Sequence, residues 1–125
     1  MSKRTHFFST LLALGPASEP EPDLAVVAGS PRDYRDAHPS TALLVIEVAD
    51  VSLAFDRSVK ARLYARAGIS DYWLLNLVDA VLEVHRDPDP SDGGGYTSIE
   101  RYHPGDRIAP LACPRRPIAI ADLLP

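Results

Sequence analysis

Apolar and polar positions fall into blocks along this chain. Residues 24–28 form a short apolar run, and residues 43–48 form a second one, β-branched and apolar on both faces except at Glu47. Both read as strands, the second as a buried one. Residues 56–67 read as a helix with Val59, Leu63 and Ala67 as its apolar stripe and Gly68 as its C-terminal cap. Residues 72–76 and 81–86 read as two strands of a hairpin that turns around Val78 and Asp79. Residues 96–102 add a loosely alternating strand, and short extended pieces follow at 108–111 and 118–120, with a helical turn at 121–124. Pro, Asp and Gly mark the loops between them at 29–40 and 87–95. Residues 1–15 read as a weak strand or helix and 17–22 as a turn. The order predicts an α/β (α+β) domain in which a mixed sheet carries a helix on one face.

A length of 125 residues fits one domain with a modest core, and 46% hydrophobic content is ordinary for a globular protein. The formal charge of −4 announces no nucleic-acid partner, so any such contact needs a local basic patch. Cys113 is the single cysteine, which excludes an intrachain disulfide and a thiolate metal cluster and fits a reducing, cytoplasmic setting. No apolar stretch reaches membrane-spanning length. Lys3 and Arg4 precede Phe7, Phe8, Leu11 and Leu12, but this apolar stretch is short and broken by His6, Ser9 and Thr10, which argues against an export signal.

Glu47 changes the picture most. A carboxylate in so apolar a strand is costly without a cation, a proton or a metal beside it. Asp23 starts the preceding strand, and Lys60 lies on the helix that follows, with Asp56 and Tyr64 four residues to either side. Two carboxylates on adjacent strands suit a hard divalent cation such as Mg2+, and a nearby lysine can orient a water and offset charge on a phosphorane. Phosphodiester hydrolysis is the chemistry this trio fits. Each member also has a plain structural reading. Asp23 after Pro22 could cap a turn, and Glu47 could pair with Arg62. Lys60 and Asp56 could form a surface pair, and Tyr64 could serve as core. Arg57, Arg62 and Arg66 form either a basic face for nucleic acid or a solvated helix face. His6, His38, His85 and His103 lack metal-ligand spacing, the glycines at 93–95 form a loop and no phosphate cradle, and Ser52 and Ser58 sit in no nucleophile elbow.

The stretches Pro22-Asp23-Leu24-Ala25-Val26-Val27, Leu44-Val45-Ile46-Glu47-Val48-Ala49-Asp50, Asp56-Arg57-Ser58-Val59-Lys60, Leu63-Tyr64-Ala65-Arg66-Ala67-Gly68-Ile69 and Tyr72-Trp73-Leu74 together resemble the bacterial Uma-two family, within the PD-(D/E)xK nuclease superfamily. The resemblance spans residues 18–125, with 1–17 as a lead-in. It implies a restriction-endonuclease-like fold, a mixed central sheet with a flanking helix, here shortened at its N-terminal end. It further implies a DNA endonuclease with Mg2+ or Mn2+ held by Asp23 and Glu47, with Lys60 assisting the attacking water and Asp56 and Tyr64 supporting it. The superfamily lysine two residues after the second acid is replaced by Ala49, and Lys60 matches the substitute from the following helix. The family's longer N-terminal region, with its helices and a Glu-bearing strand pair, has no equivalent visible in residues 1–22. The alternative expectation is therefore a catalytically inactive member that acts as a binding module or forms a homodimer through exposed sheet edges.

Overall fold

The apolar runs pair in the order in which they occur. The structure is a computed structural model that describes residues 5–8, 11–14, 21–29, 31–35, 37–91 and 93–125. Six strands form one sheet in sequential order: β1 Thr5–Phe8, β2 Leu24–Ala28, β3 Leu44–Ala49, β4 Asp71–Asn76, β5 Val81–Asp89 and β6 Gly95–Tyr102. Neighbours are antiparallel except β3 and β4, which run parallel in the register Glu47 to Leu74. A parallel pair requires a crossover, and the helical segment 53–66 supplies it. This is the predicted mixed sheet with one flanking helix. The predicted lead-in contributes an edge strand, because β1 pairs with β2. Leu12 beyond it is fully buried in the core, while residues 15–20 lie outside the described residues.

Side chains alternate across the sheet, so each face has its own core. On the helix side Val45, Tyr72 and Tyr96 pack against Ala61, Tyr64 and Ala65. On the other side Ile46, Trp73, Leu82 and Val84 pack against Ile120. That residue opens a 3-10 turn, Ile120–Asp122, after the short antiparallel pair of β7 Arg107–Ile108 and β8 Ile118–Ala119. The C-terminal segment thus covers the face the helix leaves bare, giving three layers. Among the described residues no helix is long and apolar enough to cross a membrane.

The helix departs from its prediction in two ways. It starts earlier, with α1 Leu53–Phe55, and reaches α2 Ala61–Arg66 through a π turn, Asp56–Lys60. Its buried face carries Asp56, Ala61, Tyr64 and Ala65, whereas Val59 of the predicted stripe is 47% exposed and Leu63 is half-buried. The wider π turn changes the phase of everything after it, so a stripe counted at uniform α spacing points elsewhere. Two alanines at the contact let the helix approach the sheet closely. The end of the helix matches its prediction. Gly68 adopts φ +78°, its N–H donates to the Ala65 carbonyl, and the N–H of Ile69 donates to the Tyr64 carbonyl, which closes the last turn and seats Ile69 against Tyr64 in the core.

The far face also buries a carboxylate. Asp71, fully buried, accepts from the Trp73 indole at 2.7 Å, from Arg86 Nε at 2.9 Å and from the Leu111 N–H at 2.9 Å. It ties the 109–111 loop to the centre of the sheet. Asp71→Ala strands the Arg86 charge and two donors, and it is expected to cost about 3–5 kcal/mol in urea unfolding. A loss below about 1 kcal/mol would contradict this role.

Candidate active site

The end of β2 meets the middle of β3 at the two predicted acids. Extending the β2–β3 register of Leu24 to Ile46 by one residue sets Asp23 opposite Glu47. The two are cross-linked: the Asp23 N–H donates to Glu47 Oε1 at 2.8 Å, and the Val48 N–H donates to Asp23 Oδ2 at 2.7 Å. Each carboxylate is therefore oriented by the other's strand. From above, Lys60 donates to Glu47 Oε2 at 2.5 Å, and the Tyr64 hydroxyl donates to the same oxygen at 3.4 Å. The cation that the apolar strand demanded is Lys60, and the predicted alternative partner Arg62 stands elsewhere, its Nε on the Ser58 carbonyl.

Asp56 lies 4.0 Å from the Lys60 ammonium, and the Ser52 hydroxyl holds its other oxygen at 2.7 Å. The Tyr72 hydroxyl donates to the Asp56 carbonyl at 2.9 Å and anchors the π turn to β4. Asp56 thus sits beside Lys60, as expected, whereas Tyr64 acts on Glu47. Asp23, Glu47, Asp56 and Lys60 line one open cleft of about 330 Å³, with Glu21 and Phe55 at its edges.

Burial dominates the electrostatics. It pushes the Glu47 carboxyl above its ordinary value, against the hydrogen bonds from Lys60 and the Asp23 N–H that favour the ionised form. Burial and the neighbouring Glu47 carboxylate push the Tyr64 hydroxyl far up, so it stays protonated and keeps donating. The donor chemistry fits a hard divalent ion, since two carboxylate side chains share an open cleft with room for water. Among the described residues no three His, Cys, Asp or Glu side chains come close enough to hold an ion together. Asp23 and Glu47 would then be its protein ligands, with water in the remaining positions, as Mg2+ tolerates.

A second acid escaped the sequence reading. Glu83 on β5 is buried on the same sheet face, one strand beyond Leu74 in the row that starts at Glu47. Arg57 grips it through Nε, at 3.1 and 3.0 Å to its two oxygens, and through a further contact from its terminal nitrogen. Asn76 adds a bond at 3.2 Å, and His85 lies at 3.4 Å. The three predicted basic residues therefore separate: Arg57 turns to Glu83, while Arg62 and Arg66 line another cleft beside Val59. The signal was present in the sequence, because Val81-Leu82-Glu83-Val84 repeats the pattern of Val45-Ile46-Glu47-Val48.

A mixed sheet with a helical crossover on one face is consistent with a restriction-endonuclease-like fold. The chain belongs to the Uma2 family, described as "Putative restriction endonuclease", whose match covers residues 3–120. It is also similar to a solved structure from Anabaena variabilis ATCC 29413, described as "a putative nuclease belonging to DUF820". The two share 17% identity at a TM-score of 0.61, over 95% of this chain and 67% of that one, a likeness of fold. No curated protein sequence matches the chain. The family match starts at residue 3 and so includes residues 3–17.

Glu83 gives a pH prediction. Burial pushes its carboxyl up, but the bonds from His85 and Arg57 outweigh this and hold it down at about 2, against an ordinary value of 4.5. A depressed carboxylate stabilises the fold fully above its unfolded value and loses that contribution as pH falls toward its folded one. The stability difference between the native chain and Glu83→Gln is therefore expected to be flat above pH 4.5 and to shrink between pH 4.5 and 2. Urea unfolding across that range measures it, and a difference independent of pH would contradict the assignment.

Proposed function

We propose that this chain is a metal-dependent DNA endonuclease whose working centre is Asp23, Glu47 and Lys60. The observation that carries the reading is the convergence of two cross-linked carboxylates and one ammonium on a single open cleft. A divalent ion, Mg2+ or Mn2+, held by Asp23 and Glu47 would polarise a phosphodiester and make a bound water more acidic. The remaining work falls to the chain. The reciprocal bonds between Asp23 and the β3 backbone keep the carboxylates side by side without rearrangement. Tyr64 holds the angle of Glu47. Lys60, steadied by Asp56 and through it by Ser52, places a positive charge at the cleft, where it can hold the attacking water and offset charge on the phosphorane. Of the three helix arginines, Arg62 and Arg66 line the neighbouring cleft, from which they can reach DNA phosphates.

A second reading, a binding module without catalysis, is favoured by one observation: the Lys60 ammonium already neutralises Glu47, so the fold has no electrostatic need of an ion there.

Cleavage distinguishes the two. The endonuclease reading expects Mg2+- or Mn2+-dependent nicking of plasmid DNA that Glu47→Ala abolishes and that Lys60→Ala lowers by about 10²- to 10³-fold. Undiminished cleavage by Glu47→Ala would remove that residue from the mechanism, and absence of nicking in the native chain would favour the binding module. The raised Glu47 carboxyl adds a pH profile. Protons and metal compete for it, so cleavage is expected to rise with pH through a value above the ordinary 4.5 and then level off. Single-turnover rates across pH measure this, and a profile flat down to pH 4.5 would contradict it.

A further inference from the structure

The mouth of the cleft carries an apolar rim that hydrolysis does not use. Phe55 lines the cleft with Glu47 and Lys60, yet it is 52% exposed and belongs to neither core cluster. Val51, four residues before it, is fully exposed, and Val59, four residues after it, is 47% exposed. Val51 lies in the turn before α1, and Val59 lies in the π turn that follows Phe55, so the two flank the ring along the crossover. Single exposed aliphatics are ordinary. An aromatic ring at the edge of a charged cleft, continued by two more apolar side chains, is a surface that packing within the chain does not explain.

Charge indicates what would meet it. The cleft holds Glu21, Asp23, Glu47 and Asp56 against Lys60, and the chain as a whole is acidic. Intact duplex keeps its base faces stacked and offers an exposed ring nothing flat to stack on. A nucleobase presents an uncharged flat face that an aromatic ring can stack on, but only when it has left its pair and its stack. The stripe also runs toward a second open cleft of about 350 Å³, where Val59 is joined by Arg62 and Arg66. Aromatic stacking followed by sparse basic contacts is how single strands are tracked without sequence preference.

We propose that Phe55 stacks on an unpaired base beside the scissile phosphate, that Val51 and Val59 extend this platform, and that Arg62 and Arg66 take phosphates farther along the same strand. The inference rests on the nuclease reading of the cleft and adds its substrate class: single-stranded or flared DNA in preference to closed duplex.

The test reads stacking directly. Trp73 is the single tryptophan, fully buried with its indole bound to Asp71, so it gives a constant background. Phe55→Trp places a second indole at the rim. With Ca2+ present as a hard cation, an oligothymidylate of about 12 nucleotides is expected to quench the new emission. A blunt duplex of the same length is expected to bind at least about 10-fold more weakly. In anisotropy titrations Phe55→Ala is expected to weaken oligothymidylate binding by about 5- to 150-fold, the loss of one stacked base, with Phe55→Tyr restoring it. Equal binding by Phe55→Ala, or duplex bound as tightly as single strand, would overturn the inference. So would a dimer that Phe55→Ala dissociates in a chain that leaves the oligonucleotide unbound. These readouts are of binding, so a chain that stacks the single strand but cleaves nothing sinks the nuclease reading alone, and a chain that cleaves without Phe55-dependent binding sinks this inference alone.

Discussion

The contact between the Glu47 carboxylate and the Lys60 ammonium is the constraint on which the rest of this structure turns. An ionised carboxylate in a strand buried on both faces is tolerable only when its charge is matched and its oxygens are satisfied. Glu47 meets both needs through three donors from three elements: the N–H of Asp23 before β2, the ammonium of Lys60 in the π turn, and the hydroxyl of Tyr64 in α2. Those donors fix where β2 begins against β3 and at what height the helix crosses the sheet. The small contact residues Ala61 and Ala65 follow from that height, because the helix must come close for a lysine to reach the strand.

The same solution appears twice on one sheet face. Three residues apart in the π turn, Arg57 and Lys60 each descend on a buried glutamate, Glu83 on β5 and Glu47 on β3. The pair at Glu83 is saturated by Asn76 and His85 as well, and it serves to hold the helix down. The pair at Glu47 is left beside an open cleft with a second carboxylate next to it. One pairing is closed and structural, the other open and accessible, and the difference lies in what surrounds them. Asp71 on the opposite face is a third closed case, with its bonds tying the C-terminal segment to the sheet.

Much of this was legible in the residues. The strand order, the hairpin around Val78 and the Gly68 cap each have a local signal, and each stands where that signal put it, while the helix starts three residues early. One energetic oddity, a lone acid among aliphatics, singled out Asp23, Glu47 and Lys60, and only the folded chain brings them to one cleft. Three things stayed hidden. The π turn leaves no mark in apolar spacing, so Val59 was assigned to the core when it is exposed and Leu63 only half-buried. Arg57 was grouped with Arg62 and Arg66 because a helix surface alone does not reveal which residue a buried acid will claim. Glu83 carried the same pattern as Glu47, but no lysine is spaced behind it as Lys60 is behind Glu47, and it went unremarked.

The account stands on the claim that Asp23 and Glu47 form one cation site that excludes protons as it fills. Calorimetric titration of Mn2+ into the native chain and Asp23→Ala, in buffers of different ionisation enthalpy and at two pH values, measures this directly. The account predicts a single ion per chain, proton release that is larger at the lower pH because Glu47 holds its proton above the ordinary range, and loss of binding in Asp23→Ala. Binding that survives Asp23→Ala unchanged, or a native chain that takes up no ion, would contradict it.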